Sequence, residues 1–256
     1  MRIGIVSGAS AGMGRDFARA LVGRGPEELW LLGRREERLA DLAAELAPAV
    51  RTRIFPGDLN EPARIREIQD ALAQSGGAVC WIVAAAGEGR IGSFASGDPD
   101  RFRRMIDLNC GALTALISVA LPYTETGAHI LTLASAAAFL PQPGFAVYAA
   151  TKAYVLHFSR ALGRELAPRG IRVTAVCPGP VRTEFTERAE QDGEKMPARK
   201  KKYATESNHV VKIALRAAER GRAVCTPTVA MKAARLAAKC LPHGFLMRFF
   251  PTKEEK

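Results

Sequence analysis

Apolar residues in this chain fall into short runs separated by longer stretches with helical spacing. The runs at 2–7, 28–33, 52–56, 79–84, 128–134, 171–177 and 222–226 have the length and the Val, Ile and Leu content of buried strands. Between them, 12–24, 35–47, 61–75, 98–121, 145–168 and 207–220 repeat apolar positions every three or four residues, as helices packed by one face do. In the first of these, Phe17, Ala18, Leu21 and Val22 make the stripe. Strand alternating with helix predicts parallel pairing through right-handed crossovers. The expected fold is a single-domain α/β chain of the Rossmann type, a doubly wound parallel sheet of about seven strands with helices on both faces. In such sheets ligands bind beyond the carboxyl ends of the strands. Gly8, Arg34, Asp58, Gly87, Ser135 and Pro178 fall at or just after six of those ends.

The turn after the first strand is the richest in glycine. Gly8-Ala9-Ser10-Ala11-Gly12-Met13-Gly14 leads from that strand into the first helix. Glycines let the backbone turn tightly and come close to a ligand, and the helix end offers free N–H groups and a positive dipole. The spacing is G-x-x-x-G-x-G rather than the commoner G-x-G-x-x-G. On its own it describes either a phosphate site or an ordinary strand-to-helix turn.

A second constellation lies further along. Tyr148 and Lys152 are four residues apart on the helix predicted over 145–168, so they share a face. A fixed positive charge beside a phenol lowers its pKa and lets it exchange a proton near neutral pH. Ser135 precedes the tyrosine by thirteen residues, and Asn109 sits inside the helix over 98–121, a poor place for asparagine by propensity alone.

Together, Ser7 to Gly14, then Asn109, Ser135, Tyr148 and Lys152 in that order, then Pro178-Gly179-Pro180-Val181-Arg182-Thr183, resemble the short-chain dehydrogenase/reductase family. The resemblance runs from residue 1 to about 185, and more loosely to 227. It implies an oxidoreductase that moves a hydride between a nicotinamide cofactor and a carbonyl or secondary alcohol. By the same resemblance Tyr148 gives or takes the proton, Lys152 lowers the phenol pKa and binds the nicotinamide ribose, and Ser135 holds the carbonyl oxygen. Asn109 holds a water in a proton relay to Lys152. Gly8, Ser10, Gly12, Met13, Gly14, Asp58, Leu59, Ala85, Gly87, Pro178, Gly179, Val181 and Thr183 complete the expected cofactor contacts, with Asp58 and Leu59 against adenine and Val181 and Thr183 against the carboxamide. One departure is clear: Ala84-Ala85-Ala86-Gly87 stands where the family has Asn-Asn-Ala-Gly.

The second strand decides which nicotinamide cofactor is expected. It ends in Gly33-Arg34-Arg35 with no carboxylate to hold a ribose 2′-hydroxyl. Arginine suits a 2′-phosphate through paired charge-assisted bonds, which predicts NADP(H) with Arg34 and Arg35 as contacts. The competing reading of the same residues is the start of an exposed charged helix.

Composition narrows the remaining readings. With 256 residues, 48% of them hydrophobic, one full α/β core is expected over 1–227, with a substrate lid at about 184–208 and a basic extension at 228–256. No run reaches the ~18 unbroken apolar residues of a membrane span, and the first strand begins too early to leave room for a secretory leader. The five cysteines show no C-x-x-C and read as small buried hydrophobes in a reducing, cytoplasmic setting; no metal spacing appears. The net charge of +11 is mostly dispersed over helix faces, and Arg199-Lys200-Lys201-Lys202 reads as an exposed loop, so nucleic acid is not the expected partner.

The substrate is expected to be a carbonyl or alcohol on a hydrophobic body. Its pocket should be walled by Gly87 to Gly92, Ala136 to Phe145 and the segment after Thr183. Lys232, Arg235 and Lys239 share one face of an amphipathic tail, which suits peripheral membrane contact, a partner subunit or a cover over the pocket. The family resemblance implies a homodimer or homotetramer through 98–121 and 145–168. The alternative function is a sensor or scaffold that binds NADP(H) without turnover; an intact Ser135, Tyr148 and Lys152 set speaks against it.

Overall fold

The computed structural model describes residues 1–190 and 204–248. The basic run 199–202 and the end of the tail lie outside the described residues. Seven parallel strands form the central sheet in the order β3-β2-β1-β4-β5-β6-β9. They are β1 (Arg2–Ser7), β2 (Glu28–Gly33), β3 (Arg51–Pro56), β4 (Ala78–Ala84), β5 (Thr124–Leu133), β6 (Arg172–Val176) and β9 (Val224–Cys225). A separate two-residue pair joins β7 (Val181–Arg182) to β8 (Thr205–Glu206). The expected strands are all present. The last is shorter than its apolar run, and β5 starts earlier because its first residues, Thr124 and Glu125, do not stand out by hydrophobicity.

Alternation along the strands divides the interior into two cores. Ile3, Ile5, Trp30, Leu32, Ile82 and Ile130 point to one face with residues of α3 (Pro62–Ser75), α5 (Leu113–Ala120) and α6 (Ala146–Glu165). Val6, Leu29, Leu31, Val83, Leu131 and Val176 point to the other, with α1 (Gly12–Leu21), α2 (Glu36–Leu46) and α8 (Ser207–Glu219). Both faces are covered, which is why the strands read as nearly continuous apolar runs. The order reverses between β1 and β4, and the crevice beyond their carboxyl ends is the site such a sheet creates.

The helix expected over 98–121 is not uniform. α4 (Pro99–Ile106) passes into a π-helical stretch at Asp107–Ala112 before α5 continues. Pro99–Tyr123 is long and apolar enough by composition to cross a membrane, yet it packs on α3, α6 and β4 and carries Asn109 at 0% exposure, as a core helix does. After β7 the expected lid begins with α7 (Glu184–Glu190) and rejoins the domain at β8. The tail forms α9 (Val229–Cys240) and α10 (His243–Met247). Cys80, Cys177 and Cys225 are buried as expected, whereas Cys110 is half-buried and Cys240 exposed on α9, so the expectation fails for two of the five.

Candidate active site

A cavity of about 1680 Å³ lies beyond the carboxyl ends of β1, β2, β4 and β5. That exceeds the roughly 300–1,000 Å³ of an ordinary small-molecule site, so it has room for a dinucleotide and a substrate together. Every residue expected to touch cofactor lines it, from Gly8 at the first turn to Thr183 after β7. Ser135 lines it as well.

The glycine turn has the shape a phosphate requires. Gly8 has φ +69°, and a Cβ on Gly14 would stand 2.3 Å from the Gly8 carbonyl oxygen, so the turn closes only with glycine there. Helix α1 follows with no side-chain cap and no acidic residue in its first turn, leaving its first N–H groups for a ligand. At the far end of the same cavity Arg34 is exposed and Arg35 half-buried. Arg35 donates to Ser10 O at 3.2 Å and to Glu184 Oε2 at 2.9 Å. Asp58 accepts from the backbone N–H of Asn60 at 3.0 Å, which fixes the turn after β3, and Leu59 is buried in the core beneath it. These residues fit a phosphorylated dinucleotide: an open helix N-terminus for its pyrophosphate and guanidinium groups at its outer end.

The turn after β4 is braced with alanine at 84 and 85. The backbone N–H groups of Ala85 and Ala86 both donate to Ser7 Oγ, at 3.0 and 3.1 Å. Ser7 is 2% exposed, so β1 itself supplies the acceptor that ties the two neighbouring strand ends together.

On the other side of the cavity, α6 presents Tyr148 and Lys152 on one buried face. Phe145 stacks on Tyr148 with ring centroids 4.2 Å apart, and Phe185 of α7 tilts against it at 5.5 Å. Burial pushes the Tyr148 phenol up to about 12, and the Ser135 hydroxyl beside it pulls only part of the way back. Burial outweighs the lowering expected from Lys152, so the phenol stands above its ordinary value rather than below it. Lys152 is itself brought down to about 8 by burial, its ammonium donates to Leu133 O at 2.7 Å, and it stands 5.6 Å from the centre of the tyrosine ring. The phenol here is an acid, protonated and ready to donate.

Asn109 does not line the cavity. It stands behind it in the π-helical stretch, fully buried, with Oδ1 accepting from Glu88 N at 2.9 Å. Its amide donates to Glu88 O at 2.9 Å and to Thr151 Oγ1 at 3.0 Å. Thr151 in turn donates to Tyr148 O at 2.8 Å. Asn109 therefore clamps the loop after β4 to the helix that carries the tyrosine. The π stretch falls beside the cavity, as such stretches often do at functional sites; nothing in residue spacing announced it.

The expected pocket walls are mostly in place. Arg90, Ala138 and Pro141 do not line the cavity; Arg90 is 8% exposed and lies over the Phe102 ring at 5.7 Å. Apolar Ala137, Phe139, Leu140 and Phe145 line the substrate end, and Phe185, Ala230, Met231 and Ala234 join them. The last three show that α9 covers the pocket, one of the three uses open to an amphipathic tail.

Comparison with known proteins agrees with this geometry. Residues 2–194 match the family described as short chain dehydrogenase. Sulfoacetaldehyde reductase 2 of Chromohalobacter salexigens is 37% identical over 186 residues, 71% of this chain and 73% of that protein. An uncharacterised oxidoreductase of Staphylococcus epidermidis is 32% identical over 189 residues, 73% of this chain and 80% of its own length. A short-chain dehydrogenase from Sphingobium yanoikuyae solved in complex with NADPH superposes with a TM-score of 0.80 at 29% identity, covering 100% of this chain and 98% of that one. The alcohol dehydrogenase of Comamonas testosteroni specific for bulky-bulky ketones superposes with a TM-score of 0.77 at 26% identity, covering 100% and 97%. With its matching sequence, its seven-stranded parallel sheet and its Ser135, Tyr148 and Lys152 at one cavity, this chain belongs to the short-chain dehydrogenase family.

Proposed function

We propose that this oxidoreductase interconverts a carbonyl and a secondary alcohol on a hydrophobic substrate, using NADP(H). The observation that carries the reading is the convergence of Tyr148, Ser135 and Lys152 on one cavity that also holds an open glycine turn and the arginines after β2. NADP(H), when bound, supplies or accepts the hydride. Tyr148 donates its phenolic proton to the carbonyl oxygen as negative charge develops there, and takes it back in the reverse direction. Ser135 donates a second hydrogen bond to the same oxygen and fixes its position. The Lys152 ammonium offsets the charge left on the phenolate. Asn109 keeps the Glu88 loop and α6 in register, so that these groups stay aimed at one point.

The cofactor form is supported by Arg34 and Arg35 at the outer end and by the NADPH in the Sphingobium relative's structure. The apolar wall favours a substrate nearer to the bulky ketones named for the Comamonas enzyme than to the small sulfonate of the Chromohalobacter reductase. The reading includes a cytoplasmic location and a homodimer or homotetramer; the assembly is supported by Ile106 and Tyr154, exposed on the two helices expected to form it. An intact catalytic set weighs against a sensor without turnover.

The test is a titration with NADPH and NADH followed by nicotinamide fluorescence, then a screen of aryl and alicyclic ketones with the preferred cofactor. Tighter NADPH binding with oxidation of NADPH by a bulky ketone supports the reading. Equal binding of both cofactors would remove the 2′-phosphate from it, and no binding of either would remove the enzyme.

A further inference from the structure

The carboxylate of Glu184 sits at the arginine end of the cavity, not in the substrate pocket. It accepts from Arg35 at 2.9 Å, from Arg38 at 2.6 Å and from Arg188 at 2.5 Å. Glu184 opens α7 directly after Thr183, the residue expected at the nicotinamide carboxamide, and both line the cavity. Arg35 lines the other wall at the start of α2, and Arg38 stands one turn further along that helix outside the cavity lining; they are 149 and 146 residues away in sequence. One side chain therefore bridges the cleft from the lid to the place where β2 ends.

Three guanidinium groups hold this carboxylate at about 2, so it is an anion at every working pH. An oxyanion accepting from paired guanidinium groups is the contact a phosphate monoester makes. Each of these pairs is partly exposed and worth little alone. Together they engage the Arg35 guanidinium that a 2′-phosphate would use, and they place a fixed negative charge beside it.

We propose that Glu184 is a cofactor-selectivity residue: an internal counter-anion that holds Arg35 and Arg38 and that the 2′-phosphate of NADP(H) must displace. A cofactor without the 2′-phosphate does not compete for the arginines and leaves the bridge closed. Glu184 thus lowers the margin by which NADPH is preferred over NADH, and displacing it uncouples α7 from α2 only when the phosphorylated cofactor enters. This inference rests on the reading of Arg35 as the 2′-phosphate contact.

The experiment measures the dissociation constants of NADPH and NADH by nicotinamide fluorescence for the full-length protein and for Glu184→Gln, Glu184→Ala and Arg35→Ala. Both Glu184 variants are expected to bind NADPH about 3- to 10-fold more tightly, while NADH changes less than about 2-fold. Arg35→Ala is expected to weaken NADPH selectively. If Arg35→Ala weakens NADPH but neither Glu184 variant tightens it, Glu184 only braces the arginines and the proposal is overturned while the cofactor reading stands. If Arg35→Ala leaves the NADPH to NADH ratio unchanged, the cofactor reading and the proposal fall together.

Discussion

The ammonium of Lys152 donates to the backbone carbonyl of Leu133 at 2.7 Å, the last residue of β5. A buried cation anchored on a strand end has a fixed position relative to Ser135, two residues further on, and to Tyr148, one turn earlier on α6. Geometry comes first at this site, and the electrostatic adjustment of the phenol is secondary to it. Burial holds Tyr148 as a neutral acid and makes Lys152 a weakened base.

That pair sets the pH dependence. The phenol, raised to about 12, stays protonated through the neutral range and can serve as the acid in reduction. The Lys152 charge, with its pKa lowered to about 8, is present below that pH and lost above it. Reductive kcat/KM is therefore expected to be level on the acid side and to fall as pH rises through about 8. Alcohol oxidation, which needs the phenolate, should rise with pH instead. A pH profile of both directions checks the sign; a reductive rate that climbs above pH 8 contradicts it.

Gly87 leaves space that the site requires. A Cβ there would lie 3.0 Å from Asn109 Oδ1 and 3.3 Å from Lys152 Nζ, so both groups must shift to admit it. Gly87→Ala is expected to lower kcat/KM by about 10- to 100-fold through misplacement of Lys152. Steady-state kinetics beside a thermal melt separates this effect from unfolding, because the melting temperature should move much less than the activity.

Ser7 braces the turn after β4 through its hydroxyl oxygen. In Ser7→Ala the half-buried N–H groups of Ala85 and Ala86 lose their side-chain acceptor, at a cost of about 0.5–1.5 kcal/mol because Ala85 N–H also donates to Val83 O. For a chain of this size that is roughly 2–4 °C of melting temperature per kcal/mol. Cofactor affinity should weaken too, since the loop that continues into Gly87 is loosened. A melt identical to that of the unaltered protein would mean that the pair of hydrogen bonds contributes nothing.

The central sheet was legible because parallel strands buried on both faces leave apolar runs that few other elements produce, as at Leu29–Leu32 and Trp81–Ala84. Tyr148 and Lys152 were legible because a helix places residues four apart on one face. What the sequence hid depends on distance or on subtle geometry. The Arg35 and Glu184 bridge joins residues 149 apart, with no local signal at either. The π stretch around Asn109 replaces an α-turn without changing the apolar pattern. Phe185 lies in the segment after Thr183 that was expected to wall the pocket, whereas Met231 reaches it from a tail for which residue spacing left three placements open. Even Tyr148 shows the limit: its neighbour was readable, but the burial that dominates its pKa was not.

The most direct test of the account is the Tyr148→Phe variant, which keeps the ring against Phe145 and Phe185 and removes only the hydroxyl. Turnover of a ketone with NADPH and the NADPH dissociation constant are measured on the same preparation. The account predicts a loss of about 10²- to 10⁴-fold in kcat with cofactor affinity changed less than about 3-fold. Turnover equal to that of the unaltered protein would contradict it, and the proton would have to come from another group.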